Sequence, residues 1–226
     1  MRLICLSLAY LVAVVRNGTA TPLLQGRDAP LESVRTRLDR DYSKSDRDEP
    51  NKYFHESRFS SHYDGRFGDR EQLYAERQAC LKALIQTYLS TMDDIGIETF
   101  IVHGTLLGWW WNRQIMSWDQ DVDVIVSEGS IHHLASYYNM TAHKFTLPTT
   151  GRTREYLLEI NPHYLDDIDD KPNVIDARWI DTDTGMYIDV TTLAPESHRS
   201  SSGNRWCDDC ERRAPLQIRR HIPSAG

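Results

Sequence analysis

Cysteine is scarce in this chain of 226 residues, which limits how it could be crosslinked or bind zinc. The four cysteines are Cys5, Cys80, Cys207 and Cys210. A tetrahedral zinc site needs four ligands at suitable spacing, and only His198 and His221 lie near the pair formed by Cys207 and Cys210. In an oxidising compartment we therefore expect a local disulfide between these two cysteines rather than a zinc site.

Clusters of basic residues are also missing. The chain has 26 Lys+Arg against 33 Asp+Glu, and residues 91–190 alone hold 17 acidic and 6 basic side chains. A protein that binds nucleic acid through the phosphate backbone needs clustered positive charge, so we expect no nucleic acid partner. Apolar residues make up 40% of the chain, which is enough for a packed core and excludes full disorder.

The sequence has a single long hydrophobic run, at residues 3–15. This run is shorter than the ~20 residues that span a bilayer. It follows Met1 and Arg2 and precedes the small residues Gly18 and Ala20, as in a secretory signal peptide. We therefore predict a signal peptide at residues 1–20, with a short membrane anchor as the alternative. Both predict a protein of the secretory pathway lumen, in the ER or Golgi, either secreted or membrane-anchored.

Sustained apolar periodicity is absent from residues 27–77, where 23 of 51 residues are charged. Such a segment buries too little apolar surface to offset the entropy of ordering it. We predict a polar linker at residues 21–51 and a folded domain at residues 52–226.

Helix and strand patterns begin near residue 70. A helix capped by Asp69 is predicted by apolar residues at three-to-four spacing up to Met92, with Gly96 at its end. Further patterns predict strands at 97–102 and 118–126, a helix at 106–112, and a β-hairpin formed by 174–180 and 186–193. This order predicts a small α/β or α+β domain.

Three acidic residues, Asp119, Asp121 and Asp123, alternate within the second predicted strand. On a strand they would share one face, where their charges repel unless water or cations neutralise them. Such oxygen ligands suit Mg²⁺ or Mn²⁺, which support phosphoryl transfer. A solvated acidic turn is the alternative. An EF-hand is excluded, because Val124 and Ser130 stand where the calcium loop needs Gly and Glu.

Asp189 lies in the middle of an apolar strand of the predicted hairpin. If the hairpin packs beside the strand of Asp123, Asp189 supplies a further carboxylate to the same cations.

Gly104 and Thr105 follow a predicted strand and open a predicted helix, where backbone amides could hold a phosphate. Four tryptophans crowd into the same region: Trp109, Trp110, Trp111 and Trp118. We expect at least two of them to pack in the core, while another could stack on a base or a sugar ring.

Several longer stretches resemble one protein family. They are residues 52–56 (KYFHE), 62–67 (HYDGRF), 103–109 (HGTLLGW), 117–123 (SWDQDVD), 158–162 (LEINP) and 175–181 (IDARWID). Together they resemble the LicD/fukutin family, above all its fungal branch related to the yeast mannosylphosphate-transfer regulators. The resemblance covers residues 52–195 and fades after Pro195, so we expect a domain that is incomplete at its C-terminus.

The resemblance implies a nucleotidyltransferase-like fold of the polymerase-β type, with a mixed sheet and flanking helices. It also implies roles for individual residues. Asp121 and Asp123 would be a metal pair and Asp189 a third ligand, with Asp119 as an accessory ligand or base. Gly104 and Thr105 would cradle a phosphate, and Arg178 would bind the donor phosphate or make a structural ion pair.

Two functions are compatible with this family. The first is a phosphotransferase, dependent on Mg²⁺ or Mn²⁺, that moves a sugar-phosphate or polyol-phosphate group from a nucleotide-activated donor to a glycan or glycoprotein acceptor. The second is a non-catalytic regulator of the same fold that binds a partner glycosyltransferase.

Overall fold

The computed structural model describes residues 23–25, 38–44, 46, 48–49, 51–147, 151–164, 173–195 and 206–207. The predicted signal segment at residues 1–20 and the predicted disulfide partner Cys210 lie outside these residues. Among the residues that are described, no helix combines the length and the apolar character needed to cross a membrane.

The described part of the chain contains three α-helices, α1 (Tyr74–Asp94), α2 (His103–Asn112) and α3 (Glu128–Tyr137). The buried face of α1 follows the predicted periodicity and includes Leu81, Leu84 and Tyr88. The prediction that Asp69 caps this helix is wrong, because the cap is Leu73 and no side chain bonds to the first amides. The predicted end is confirmed, since α1 stops at Asp94 and Gly96 adopts a φ of 73°.

Eight strands form the sheet in the described residues. They are β1 (Leu23–Gln25), β2 (Thr99–Ile101), β3 (Asp123–Ser127), β4 (Thr141–Thr146), β5 (Thr153–Ile160), β6 (Ala177–Asp181), β7 (Tyr187–Pro195) and β8 (Trp206–Cys207). The spatial order is β1-β4-β5-β6-β7-β3-β2, and β8 pairs with the end of β7. The β3–β7 pair is parallel and the other described pairs are antiparallel. The predicted mixed sheet with flanking helices is therefore confirmed.

The predicted hairpin is formed by β6 and β7. Its turn ends at Gly185, whose φ is 77° and whose added Cβ would lie 2.6 Å from the amide nitrogen of Gly68. Glycine is needed here because other residues rarely adopt this φ and because another backbone passes so closely.

The helices pack on one face of the sheet. Alternate strand residues such as Val124, Trp179, Ile188 and Val190 point into this main core together with the apolar face of α1. The alternation places the residues between them, including Asp123, Arg178 and Asp189, on the second face.

The second face is crossed by residues 53–67, which we call the crossing segment. Its backbone pairs with the hairpin at Tyr63 and Met186, and the Tyr187 hydroxyl donates to the carbonyl of Ser61. Part of the predicted linker also packs here, because the amide of Tyr42 donates to the carbonyl of Gly65 over 2.8 Å. The folded domain thus extends back at least to Tyr42.

Candidate functional site

Asp123 and Asp189 stand side by side on neighbouring strands. Their Cα atoms are register partners in the parallel β3–β7 pair. Both side chains lie on the second face, because Val124 and Val190, the next residues along, are buried in the main core. The prediction that the hairpin would bring Asp189 beside the strand of Asp123 is confirmed.

The predicted strand at 118–126 is too long at its start. β3 begins at Asp123, and Asp119 and Asp121 lie in the loop between α2 and β3. The reason is the lack of partners, since β2 pairs only with residues 124–126 and β7 joins at Asp123. Without a neighbouring ladder, residues before Asp123 cannot form a strand.

Asp119 and Asp121 nevertheless come together within this loop. Burial raises the pKa of Asp119 to about 6, and a hydrogen bond with Asp121 and the charge of that residue add to the effect. Such a shift is expected where two carboxylates share one site. The two acids therefore form a pair whose mutual repulsion a bound cation would reduce.

The start of α2 lies against this pair. A Cβ added to Gly104 would be 2.9 Å from Asp119 Oδ2, so glycine permits the carboxylate to approach the helix. The hydroxyl oxygen of Thr105 accepts a hydrogen bond from the amide of Asp123 over 3.2 Å. His103 begins the helix with a φ of 50°, an uncommon value for a residue other than glycine. Gly104 and Thr105 thus connect α2 to the acidic loop and to β3.

Arg178 is held inside the protein beside Asp189. Its side chain is 2% exposed, and its Nε donates to Asp189 Oδ1 over 2.8 Å. Nη1 donates to the carbonyl of His55, and the guanidinium lies 3.7 Å from the ring centroid of Tyr187 and 4.8 Å from that of Phe54. Burial and these partners match the structural ion pair that was one of the two predicted roles of Arg178.

The crossing segment supplies site residues to which the sequence analysis assigned no role. His62 Nδ1 lies 3.7 Å from Asp121 Oδ2, and Glu56 Oε1 lies 3.9 Å from Arg178 Nη2. Both belong to stretches that carry the family resemblance, 52–56 and 62–67. The presence of a histidine and a glutamate inside these stretches was the only sequence feature that could have indicated a role in the site. Their spacing does not indicate contact with Asp121 and Arg178, which are about 60 and 120 positions away.

The tryptophans are more exposed than expected. Trp109 packs partly against the main core, whereas Trp110, Trp111 and Trp118 are 72%, 78% and 74% exposed. The prediction that at least two of the four pack in the core is therefore wrong. The reason is that α2 turns Thr105 and Gly108 inward, and residues 110 and 111 lie on the opposite side.

The donor atoms suit a divalent cation. Asp119 and Asp121 offer oxygen ligands, which Mg²⁺ and Mn²⁺ prefer, and burial together with the contact to Asp121 raises the pKa of Asp119. Within the described residues, no three His, Cys, Asp or Glu side chains converge closely enough to hold a metal by themselves. Magnesium commonly completes its coordination with waters and substrate phosphates, so the fit is to an ion shared with a ligand.

A mixed sheet with acids side by side on neighbouring strands, and with Gly-Thr opening the preceding helix, defines a nucleotidyltransferase-like domain. Residues 96–161 match the family described as LicD/FKTN/FKRP, nucleotidyltransferase domain. This match spans β2 to β5 and includes Gly104, Thr105 and the acids at 119, 121 and 123. Residues 96–161 thus resemble a LicD-type domain, and the resemblance predicted from the sequence is confirmed.

Two relatives from Saccharomyces cerevisiae (strain ATCC 204508 / S288c) support the same assignment. "Mannosyltransferase regulator 4" is 34% identical over 140 residues, which are 60% of this chain and 12% of that protein. "Mannosyltransferase regulator 14" is 32% identical over 123 residues, which are 54% of this chain and 13% of that protein. This chain therefore matches only about an eighth of the length of either relative.

Proposed function

We propose that the protein acts in glycosylation in the lumen of the secretory pathway, as a phosphotransferase. The group transferred is a sugar-phosphate or polyol-phosphate, the donor is nucleotide-activated, and the acceptor is a hydroxyl of a glycan or glycoprotein. The observation that carries this proposal is the placement of two pairs of acids, with Asp123 and Asp189 in register on neighbouring strands and Asp119 and Asp121 in contact in the loop that leads into β3. The LicD-type domain and the names of the two yeast relatives support the link to glycosylation.

In this proposal the acids have separate tasks. Asp121 and Asp123 would hold Mg²⁺ or Mn²⁺, which would supply positive charge opposite the donor diphosphate. Asp119 holds the same ion or accepts the proton that the acceptor hydroxyl loses. The start of α2, at Gly104 and Thr105, positions the donor phosphate. Asp189 and its partner Arg178 fix the position of β7 next to these groups.

Incubation of the purified chain with CDP- and GDP-linked donors, Mn²⁺ or Mg²⁺ and a mannan acceptor tests this function. We expect a new phosphodiester on the acceptor, and none with the Asp121→Asn/Asp123→Asn variant. Thermal unfolding gives a second measurement, because Mn²⁺ or Mg²⁺ should stabilise the native protein and not the double variant. Equal stabilisation of both proteins would rule out the metal site.

A second function, a non-catalytic regulator of a glycosyltransferase, is favoured by one observation. Asp189 already has a cationic partner in Arg178, at 2.8 Å, so this acid is neutralised without a metal ion. In this alternative the domain keeps its fold and binds a nucleotide or a partner enzyme. Stabilisation by Mn²⁺ together with a nucleotide sugar, without turnover of any donor, would favour the regulator over the transferase.

A further inference from the structure

An exposed apolar surface lies next to the acidic loop. It consists of Leu106, Leu107, Trp110 and Trp111 on α2 together with Trp118, and we call it the tryptophan surface. Its leucines are 44% and 56% exposed and its tryptophans are 72–78% exposed. Tryptophan is usually well buried, so three largely exposed side chains in nine residues indicate a binding surface rather than scattered apolar residues.

The geometry of α2 places this surface beside the candidate site. Residues 106, 107, 110 and 111 share one side of the helix, because positions three and four apart are neighbours on a helical surface. Gly104, at the start of the same helix, lies against Asp119, and Trp118 is the residue that precedes Asp119. At 1.5 Å per residue, Trp111 is about 10 Å along the helix axis from Gly104. The surface is therefore long enough for two or three sugar rings that end at the acids.

The charges around the surface indicate what kind of ligand it takes. Between residues 104 and 126 the single basic residue is Arg113, and its guanidinium lies 4.0 Å from the ring centroid of Trp109. Helices that lie on membranes are typically rich in Lys and Arg, and anionic lipid headgroups would be repelled by Asp119 and Asp121. The charges of residues 104–126 therefore disfavour a membrane and favour an uncharged ligand.

A neutral glycan matches both parts of this region. The C–H faces of sugar rings stack on exposed indole rings, and sugar hydroxyls donate hydrogen bonds to carboxylates such as those of Asp119 and Asp121. We propose that the tryptophan surface is the acceptor subsite, which binds the neutral sugar rings of a glycan and directs a hydroxyl towards the acidic loop. This inference rests on the proposed function for the role of the glycan as acceptor, but the binding itself needs neither donor nor cation.

Electrophoresis of the full chain in native gels containing neutral mannan, without donor or divalent cation, measures this binding directly. We expect mannan to retard the native protein and to bind at least tenfold more weakly to Trp110→Ala/Trp111→Ala. Tyr137→Ala is the matched control, because Tyr137 is an aromatic residue that is 54% exposed and belongs to a different helix, α3. It should be retarded like the native protein. Circular dichroism and thermal unfolding should be unchanged in both variants, since the replaced side chains are largely exposed.

The outcomes separate this inference from the proposed function. Asp121→Asn/Asp123→Asn should lose transfer, whereas mannan binding that is lost in Trp110→Ala/Trp111→Ala and kept in Tyr137→Ala supports the inference even if no donor is ever consumed. Native binding of mannan by Trp110→Ala/Trp111→Ala overturns it. The inference is also overturned if the native protein does not bind mannan but binds anionic lipid vesicles. It is likewise overturned if the native protein does not bind mannan and forms dimers that the tryptophan substitutions abolish.

Discussion

Two groups of acidic residues in this domain differ in what neutralises them. Asp64 and Glu159 share Arg66, with nitrogen-to-oxygen distances of 2.6 Å to each, and Asp189 is bound by Arg178. Asp119 and Asp121 instead have each other and, at 3.7 Å from Asp121, the side chain of His62. Among the described residues, no lysine or arginine forms an ion pair with either of them.

The difference separates acids whose charge an arginine compensates from a pair that no described lysine or arginine compensates. A buried carboxylate is tolerated when an arginine compensates it, and such pairs join the crossing segment to β5 and β6 to β7. The pair in the loop is partly exposed and has no arginine or lysine partner among the described residues, and under the proposed function a cation would neutralise its charge. Replacing a single residue of each group should therefore change the free energy of unfolding by very different amounts.

The largest effect is expected for Arg66→Met. This substitution leaves Asp64 and Glu159 without their cation, and both are almost completely buried. Uncompensated buried charge typically costs about 3–5 kcal/mol, which should appear as a lower free energy of unfolding in urea. Arg58→Met is the control, because Arg58 and its partner Asp46 are both more than half exposed, and with the hydrogen bond from Arg58 Nε to the carbonyl of Ser43 the loss should stay below about 1.5 kcal/mol. Equal effects of the two substitutions would contradict the distinction.

A smaller loss is expected for Asp189→Asn, which tests the assignment of Asp189 to the first group. Arg178 would keep its ring contacts but lose its carboxylate while remaining buried. We expect about 2–3 kcal/mol less stability towards urea. Asp183→Asn is the control and should change little, because Asp183 is exposed in an otherwise buried turn of the hairpin. If the two variants match, Asp189 belongs with the acids of the loop.

Asp176 represents a third arrangement, a carboxyl with no described cationic partner whose pKa is raised by burial. Burial raises its pKa from 3.8 to about 6, although the amide of Thr192 donates to its Oδ2 over 2.7 Å. A raised pKa means that the folded state binds the proton more tightly, so its stabilising effect is complete below pH 3.8 and is lost as the pH rises through 6. Relative to Asp176→Asn, the native protein should lose up to about 2 kcal/mol between pH 4 and pH 7 in urea unfolding. If the difference in free energy of unfolding between the two proteins stays constant from pH 4 to pH 7, the pKa of Asp176 is not raised.

Much of the sheet that carries the site was predictable because its signals are local. The hairpin follows from a turn ending in Gly185 between two apolar runs, and an acid within such a run pointed to Asp189. The end of α1 follows in the same way from Gly96. By contrast, α3, β4 and β5 were not predicted, because their strands and helix carry no comparable turn or periodic pattern.

What could not be predicted depends on contacts between distant residues. The length of β3 is set by where β2 and β7 end, and the exposure of the tryptophans by the side of α2 that faces the core. His62 reaches Asp121 from the crossing segment, 59 residues earlier in the chain. Propensity and spacing describe neighbours along the chain, whereas these features depend on how elements meet in space.

Asp121→Asn is expected to have the smallest effect on stability, and it tests the second group. The amide keeps the volume of the side chain and removes one of two adjacent charges, and the Asp121 side chain is 46% exposed. In the absence of divalent cations we therefore expect the free energy of unfolding to stay the same or rise by up to about 0.5 kcal/mol. Mn²⁺ should then stabilise the native protein more than the variant, because only the native loop offers both carboxylates. A loss of more than about 1 kcal/mol without any cation would instead make Asp121 a structural acid like Asp64, since exposed charges seldom contribute that much.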